Sequence, residues 1–447
     1  MTSHDETPSW GIEPVPDRLR VLGFGDTFLL WTNLGISLLV LVAASYFGLS
    51  LRQAVLATIV GGLIGNGMLA LAALIGADAR VPTMVLQRAP LGRRGSYLAT
   101  GLNVVQCLGW SVFELIVIAT AAGALCDRVF GFEGVWAWKL AFGALATGLA
   151  LLGPIGFVRR FVKKIGIWAV VASVAYLAWW ILDNGDVATL WHQGGEGGSF
   201  WVAVDLVIAL SVSWIPLSAD YTRFSTGRRA AFFGAGLGYL LPTLFQFGFG
   251  AILVLSHPEI DGPTAVLTTV AAGGVGSVLA LLALTVDETD EAFANVYSAA
   301  VSIQNLAPRA PQRTLIVGVA VLATAGALAI DLTQYQQFLL LLGAFFVPLF
   351  GVLVADWLLS GRHYSRADIF DAPALRPGMI AAWLLGFLLY EWLAQTPGLG
   401  FWSDLLARPE LHAPSAQVGA SLPSFALAFG LAALVGVLGR RAALAPA

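Results

Sequence analysis

Residues 285 to 295 read Thr-Val-Asp-Glu-Thr-Asp-Glu-Ala-Phe-Ala-Asn, so four carboxylates, Asp287, Glu288, Asp290 and Glu291, interrupt an apolar run. Inside a membrane helix each such charge costs at least about 2.5 kcal/mol on insertion scales. The chemistry this implies is the handling of a cation or a proton, or exposure to a wet cavity. At helical spacing Asp287, Glu291 and Asn295 form one stripe with Thr289 and Asp290 flanking it, so the groups cannot all meet one ligand. A loop between two short helices is the competing explanation, but Ala292 to Ile303 alone is too short to cross a bilayer.

Gln106, Trp110 and Glu114 recur at i, i+4 and i+8 and present a second polar and aromatic face. A planar heterocycle can stack on Trp110 while Glu114 meets an amino and ring-nitrogen edge with two hydrogen bonds. Trp110 taken alone reads better as a packing residue, since aromatics are common in spans, whereas an ionisable group at depth such as Glu114 points to function. Asp205, Asp356 and Glu391 are weaker cases, nearer an interface or paired structurally. Enzymatic chemistry has little to stand on. All five histidines fall in tails or connections, and no His-Glu-x-x-His, Gly-x-Ser-x-Gly or Walker-type loop occurs. Without a nucleotide site, active transport has to be driven by an ion gradient.

These residues need a scaffold, and composition restricts it. Of 447 residues 58% are hydrophobic and 11% charged, less than half the roughly 25% charged share of a soluble domain. A bilayer core about 30 Å thick takes about 20 apolar residues per helix, and twelve runs qualify: 26–47, 51–75, 96–125, 135–157, 165–184, 200–220, 230–256, 274–304, 314–331, 334–359, 378–395 and 422–439. What remains is too little for a sizeable extramembrane domain. The runs are too long and too uniformly apolar for an outer-membrane barrel. With a net charge of -3 nothing suggests nucleic acid, and Cys107 and Cys126 imply neither a disulfide framework nor a metal cage.

The first run carries Asn33 and Gly35 in its middle, and the sixth carries Pro216, which lacks an N–H and crowds the preceding turn. Two interrupted helices five spans apart indicate an inverted-repeat transporter with its site near the midplane. Only Arg52, Arg128, Lys139 and Arg408 lie on or near one side. The other Lys and Arg fall on the opposite side, together with both termini, and the positive-inside rule makes that side cytoplasmic. The tail 1–22 reads as polar, cytosolic and loose. Gly61, Gly62, Gly65 and Gly67 of the second run read as tight helix packing.

Three segments carry a family resemblance. They are Trp214 with Ala219-Asp220-Tyr221-Thr222-Arg223-Phe224, the stretch from Val81 to Gly95 (VPTMVLQRAPLGRRG), and Ala292-Phe293-Ala294-Asn295-Val296-Tyr297-Ser298. Together, across residues 23 to 440, the chain resembles the nucleobase:cation symporter family of cytosine permease and the hydantoin and allantoin transporters. The run DETDEAFANVYS looks most like its hydroxymethylpyrimidine permease branch, which supplies a thiamine precursor.

The resemblance implies an all-α fold of leucine-transporter type. Two inverted five-helix repeats would occupy 23–184 and 200–359, two peripheral helices 378–439, and a C-terminal tail 440–447. It implies a substrate clamp of Trp110, Glu114 and Trp214, with Asn295 reading the heterocycle edge; Gln106 and Asn33 complete the expected substrate set. A Na+ site would join the carbonyls of Trp31, Leu34 and Val286 to the pair Thr289 and Asp290. Here an Asp replaces a hydroxyl, which adds charge and leaves Na+ and H+ both open. Asp287, Glu288 and Glu291 are candidate coupling groups. The expected function is a symporter of the cell membrane, without a cofactor, that imports a pyrimidine-type substrate, hydroxymethylpyrimidine first. Cytosine or a purine, or an amino acid carried by the same fold, are the alternatives, with a membrane-bound enzyme the rival from a different class.

Overall fold

A segment in lipid has no water to meet its backbone amides and carbonyls, and a helix pairs them within the segment. The computed structural model describes residues 11–157, 167–195, 197–260, 263–274, 276–281, 289–330, 332, 335–394 and 419–444, and apart from one isolated bridge between Leu22 and Ser225 these form helices, turns and coil. In order they are α1 (Phe24–Asn33), α2 (Leu38–Ala43), α3 (Leu51–Ala79), the short α4 (Thr83–Leu86) and α5 (Arg88–Leu91), α6 (Ser96–Phe130), α7 (Val135–Phe157) and α8 (Ile167–Asn184). There follow α9 (Val187–His192), α10 (Phe200–Ser213), α11 (Ile215–Thr222), α12 (Arg228–Ser256), α13 (Pro263–Ala272) and α14 (Thr289–Leu306). The chain ends with α15 (Gln312–Ala329), α16 (Tyr335–Leu359), α17 (Arg366–Phe370), α18 (Pro377–Ala394) and α19 (Ser421–Leu444).

The chain is an all-α polytopic membrane protein. Among the described residues nine helical stretches, counting α10 with α11, are long and apolar enough to cross a bilayer, and the bent pair of α1 and α2 makes a tenth. The other two expected runs are described in part. α8 starts at residue 167, and the run 274–304 is described as helix over 276–281 and again in α14. Leu63, Val105 and Leu322 are more than half exposed, as side chains facing lipid should be.

α3 packs closely on α10 because two of its glycines give way. A methyl group at Gly61 would lie 2.7 Å from Val207 Cβ, and one at Gly65 would lie 2.8 Å from Ser211 Cβ. Gly67, expected to pack in the same way, has nothing within 4 Å of that position, because it points away from both neighbours.

The N-terminal segment is not loose over the residues described. Val15 N–H donates to Arg80 O at 2.9 Å, Leu22 N–H to Phe224 O at 3.0 Å, and Thr226 N–H to Leu22 O at 2.9 Å. Val15, Leu22 and Phe224 form a small apolar cluster that holds this strap against the end of α11.

Two of the weaker acidic candidates are structural ties. Asp205 of α10 accepts the amide hydrogens of Ala420 and Ser421, the latter at 3.1 Å, and so satisfies orphan donors at the start of α19. Asp356 accepts from Arg376 Nη1 at 2.7 Å and from the Tyr364 hydroxyl at 2.9 Å. Burial first, and then the Asp356 carboxylate, push the Tyr364 hydroxyl well above its ordinary range, so it stays a donor.

Candidate functional site

The break in the first span begins where α1 stops. Gly35 N–H turns back to Thr32 O at 3.3 Å and Ile36 N–H to Asn33 O at 3.2 Å, a tighter winding than the α-helix, and α2 restarts where Ser37 Oγ accepts from Leu39 N–H at 3.1 Å. The two pieces meet at 56°. A methyl group at Gly35 would lie 2.5 Å from Pro242 Cγ, so the break packs on α12 only with glycine there. Among the described residues no backbone N–H donates to the carbonyls of Trp31 or Leu34.

The sixth span is interrupted more gently than the sequence suggests. α10 and α11 continue as one span, and the regular pattern fails only at Trp214, whose N–H donates to Ser211 O at 3.3 Å and whose carbonyl accepts from Leu217 N–H at 3.1 Å. Pro216 lies in the first turn of α11, where a missing N–H is tolerated.

Beside these two interruptions lies a narrow cavity, with about 300 Å³ of empty space when the part open to solvent is counted. Trp110 and Glu114 of α6, Trp214, and Glu291 and Asn295 of α14 line it, together with Ser37 and Val40 at the first break and Tyr239 of α12. Aromatic neighbours set the orientation of both indoles. Trp214 has Trp31 edge-on at 5.9 Å and Tyr239 at 6.0 Å; Trp110 has Tyr335 and Phe338 edge-on at 5.8 and 5.5 Å. Glu114, Glu291 and Asn295 are buried. Asn295 Nδ2 donates to Glu114 Oε1 at 2.8 Å and to the Glu291 carbonyl at 3.1 Å, so the polar edge of the cavity is itself a bonded unit.

Side chains on four helices tie together the elements that carry the cavity wall. The Tyr221 hydroxyl donates to Ala294 O at 2.9 Å and joins α11 to α14. Asn103 Nδ2 donates to Ser302 Oγ at 2.9 Å and joins α6 to α14. Thr83 N–H donates to Asp220 Oδ1 at 2.9 Å, and Thr83 Oγ1 accepts from Ala219 N–H at 3.0 Å, which docks the start of α4 on α11.

The structure thus gathers Trp110, Glu114, Trp214, Asn295 and Glu291 around one space. Gln106 does not line the cavity itself; its Nε2 donates at 2.5 Å to the carbonyl of Ser213, which does. Asn33 is fully buried at the end of α1, outside the wall, with Trp31 and Leu34 beside it. Thr289 and Asp290 are the first residues of α14, and only their helical backbone is described; Val286, Asp287 and Glu288 lie outside the described residues. Ser37 and Tyr239 line the cavity without having been singled out from the sequence. The Ser at the restart after Asn33 and Gly35 is a cap signal that could have found Ser37; an aromatic in an apolar run carries no such signal for Tyr239.

Two indoles and a set of acceptors that face one narrow space can close on a flat polar ring, once the walls part to admit it, and hold it away from lipid. Comparison with known proteins agrees in kind. Residues 14–372 match the family model described as permease for cytosine/purines, uracil, thiamine, allantoin. The hydantoin permease of Microbacterium maritypicum is 25% identical over 439 residues, covering 91% of this chain and 88% of that protein. The cytosine permease of Escherichia coli K12 is 24% identical over 366 residues, covering 79% and 80%. Among solved structures, Mhp1, a nucleobase-cation-symport-1 family transporter in a closed conformation with bromovinylhydantoin bound, superposes with a TM-score of 0.78 at 18% identity, over 98% of this chain and 96% of that one. Its inward-facing conformation gives 0.70. These structural likenesses speak for the fold, and the family match spans most of the chain. The chain belongs to the family of permeases for cytosine and purines, uracil, thiamine and allantoin, which are transporters and not enzymes.

Proposed function

We propose that the protein is a secondary active symporter that imports a planar pyrimidine-type compound, with hydroxymethylpyrimidine as the substrate, across the cytoplasmic membrane. The observation that carries this reading is the convergence of Trp110, Trp214, Glu114 and Asn295, from three distant stretches of sequence, on one buried cavity beside the break between α1 and α2. The substrate ring lies between the two indoles, and Glu114 and Asn295 meet its polar edge. The coupling ion, Na+ or H+, is cargo rather than a resident cofactor. Thr289 and Asp290, with the carbonyls of Val286, Trp31 and Leu34, form its proposed seat; the lack of backbone donors to Trp31 O and Leu34 O among the described residues supports this. An ion there braces α14 against the broken first span, and ion and substrate then raise each other's affinity by equal factors. The arginine distribution supports a cytoplasmic position for both termini.

The test is uptake of labelled hydroxymethylpyrimidine and cytosine in a transport-deficient host. Trp110→Ala abolishes saturable uptake, and Asp290→Ala removes its dependence on the ion gradient. Uptake like the wild type in both variants would refute the site.

A further inference from the structure

The polar groups between α6 and α14 share one hydrogen-bonding sense. Asn295 uses both hydrogens of its side-chain amide inside the protein, one on Glu114 Oε1 at 2.8 Å and one on the Glu291 carbonyl at 3.1 Å. A backbone carbonyl can only accept, so the amide cannot be turned round without setting two acceptors against each other. What Asn295 retains for a ligand is its oxygen. The carboxylates of Glu114 and Glu291 on the same cavity wall accept as well.

We infer that this edge selects heterocycles bearing an exocyclic amino group over their oxo counterparts. One amino group presents two hydrogens to acceptors on two facing helices, whereas a ring carbonyl brings its lone pairs against them. The inference rests on the cavity being the heterocycle site proposed above. Glu114 decides the sense of the edge. A Gln at this position must turn its oxygen towards Asn295 Nδ2, and its own Nε2 then faces the ligand as a donor.

The full chain, purified in detergent, is titrated with matched probes while its melting temperature is followed. The pairs are cytosine against uracil, and 4-amino-2-methylpyrimidine against 2-methylpyrimidin-4-one. In the wild type the amino member of each pair half-saturates the shift at a concentration lower by about tenfold or more, since a mismatched buried polar group is left unpaired otherwise. Glu114→Gln erases or reverses that preference. An oxo member binding as well as or better than its amino partner in the wild type overturns the inference, and so does an unchanged preference in a folded Glu114→Gln protein. Should Glu114→Gln fail to fold, the wild-type pairs decide alone. Binding of amino acids with no response to any of the four probes would instead bring down the heterocycle reading itself, a different outcome from a lost preference.

Discussion

Gln106 Nε2 donates to the carbonyl oxygen of Ser213 across 2.5 Å, so a side chain of α6 supplies the hydrogen bond that the interrupted helix lacks at that point. Pro216 has no N–H to offer, and Leu217 N–H turns to Trp214 O instead. Gln106→Leu leaves that carbonyl unmet at a cost of about 1–3 kcal/mol, and Gln106→Glu sets an acceptor against an acceptor and costs more. Thermal unfolding of the purified variants checks this. Melting temperatures equal to the wild type in both would remove Gln106 from its bracing role.

The two glycines that differ in surroundings within α3 give a paired prediction. Gly65→Ala places a methyl group 2.8 Å from Ser211 Cβ and 3.1 Å from Ile208 Cα, neither of which can retreat without moving α10. It destabilises by about 1–3 kcal/mol. Gly67→Ala meets open space and is neutral or stabilising by up to about 1 kcal/mol, because alanine favours the helix. Measured side by side, Gly65→Ala should melt below the wild type and Gly67→Ala at or above it; equal losses would mean that close packing on α10 is not the reason for Gly65.

How much of this could be read from the amino acids alone depends on which physical signal each element carries. Span lengths follow from apolar run length, and most observed helices begin and end within a few residues of the expected runs, as with Val135–Phe157 and Tyr335–Leu359. The break near Gly35 was visible as a polar residue and a glycine in an apolar run. Gln106 was read as lining the site because it shares a helical face with Trp110 and Glu114. Face is not contact, however: its Nε2 is taken up by the carbonyl of Ser213, a residue of the wall, and Gln106 itself does not line the cavity. The strap of residues 11–22 could not be foreseen either. Its anchors, Arg80, Phe224 and Thr226, are far away in sequence, and polar composition suggests no partner for it.

The docking of the start of α4 on α11 yields a third prediction. Asp220 Oδ1 accepts from Thr83 N–H at 2.9 Å in a fully buried setting. Asp220→Ala strands that N–H at a cost of about 1–3 kcal/mol. Asp220→Asn keeps an oxygen in place to accept it and costs less. Thermal unfolding should rank wild type, Asn and Ala in that order, and an alanine variant as stable as the asparagine one would show that the bond contributes nothing.

A fourth prediction concerns the tie between α11 and α14. Tyr221→Phe keeps the ring but loses the hydrogen bond to Ala294 O, made at 2.9 Å one residue before Asn295. The buried carbonyl loses its side-chain donor at a cost of about 1 kcal/mol, and because Asn295 is the next residue, the half-saturating substrate concentration rises while the protein remains folded. Kinetics of uptake against concentration, with melting temperature as the control, separate the two effects. An unchanged half-saturating concentration would show that Asn295 is positioned without Tyr221.

The central claim, that the cavity between Trp110 and Trp214 is where the transported compound sits, is tested most directly by protection of a residue in its wall. Ser213 lines the cavity, so Ser213→Cys is made in a chain whose Cys107 and Cys126 are replaced, and its alkylation rate is measured with and without a pyrimidine that the protein takes up. The site assignment predicts that the bound pyrimidine slows alkylation in step with its occupancy. A pyrimidine that is transported yet leaves the rate unchanged at saturation would place the substrate elsewhere.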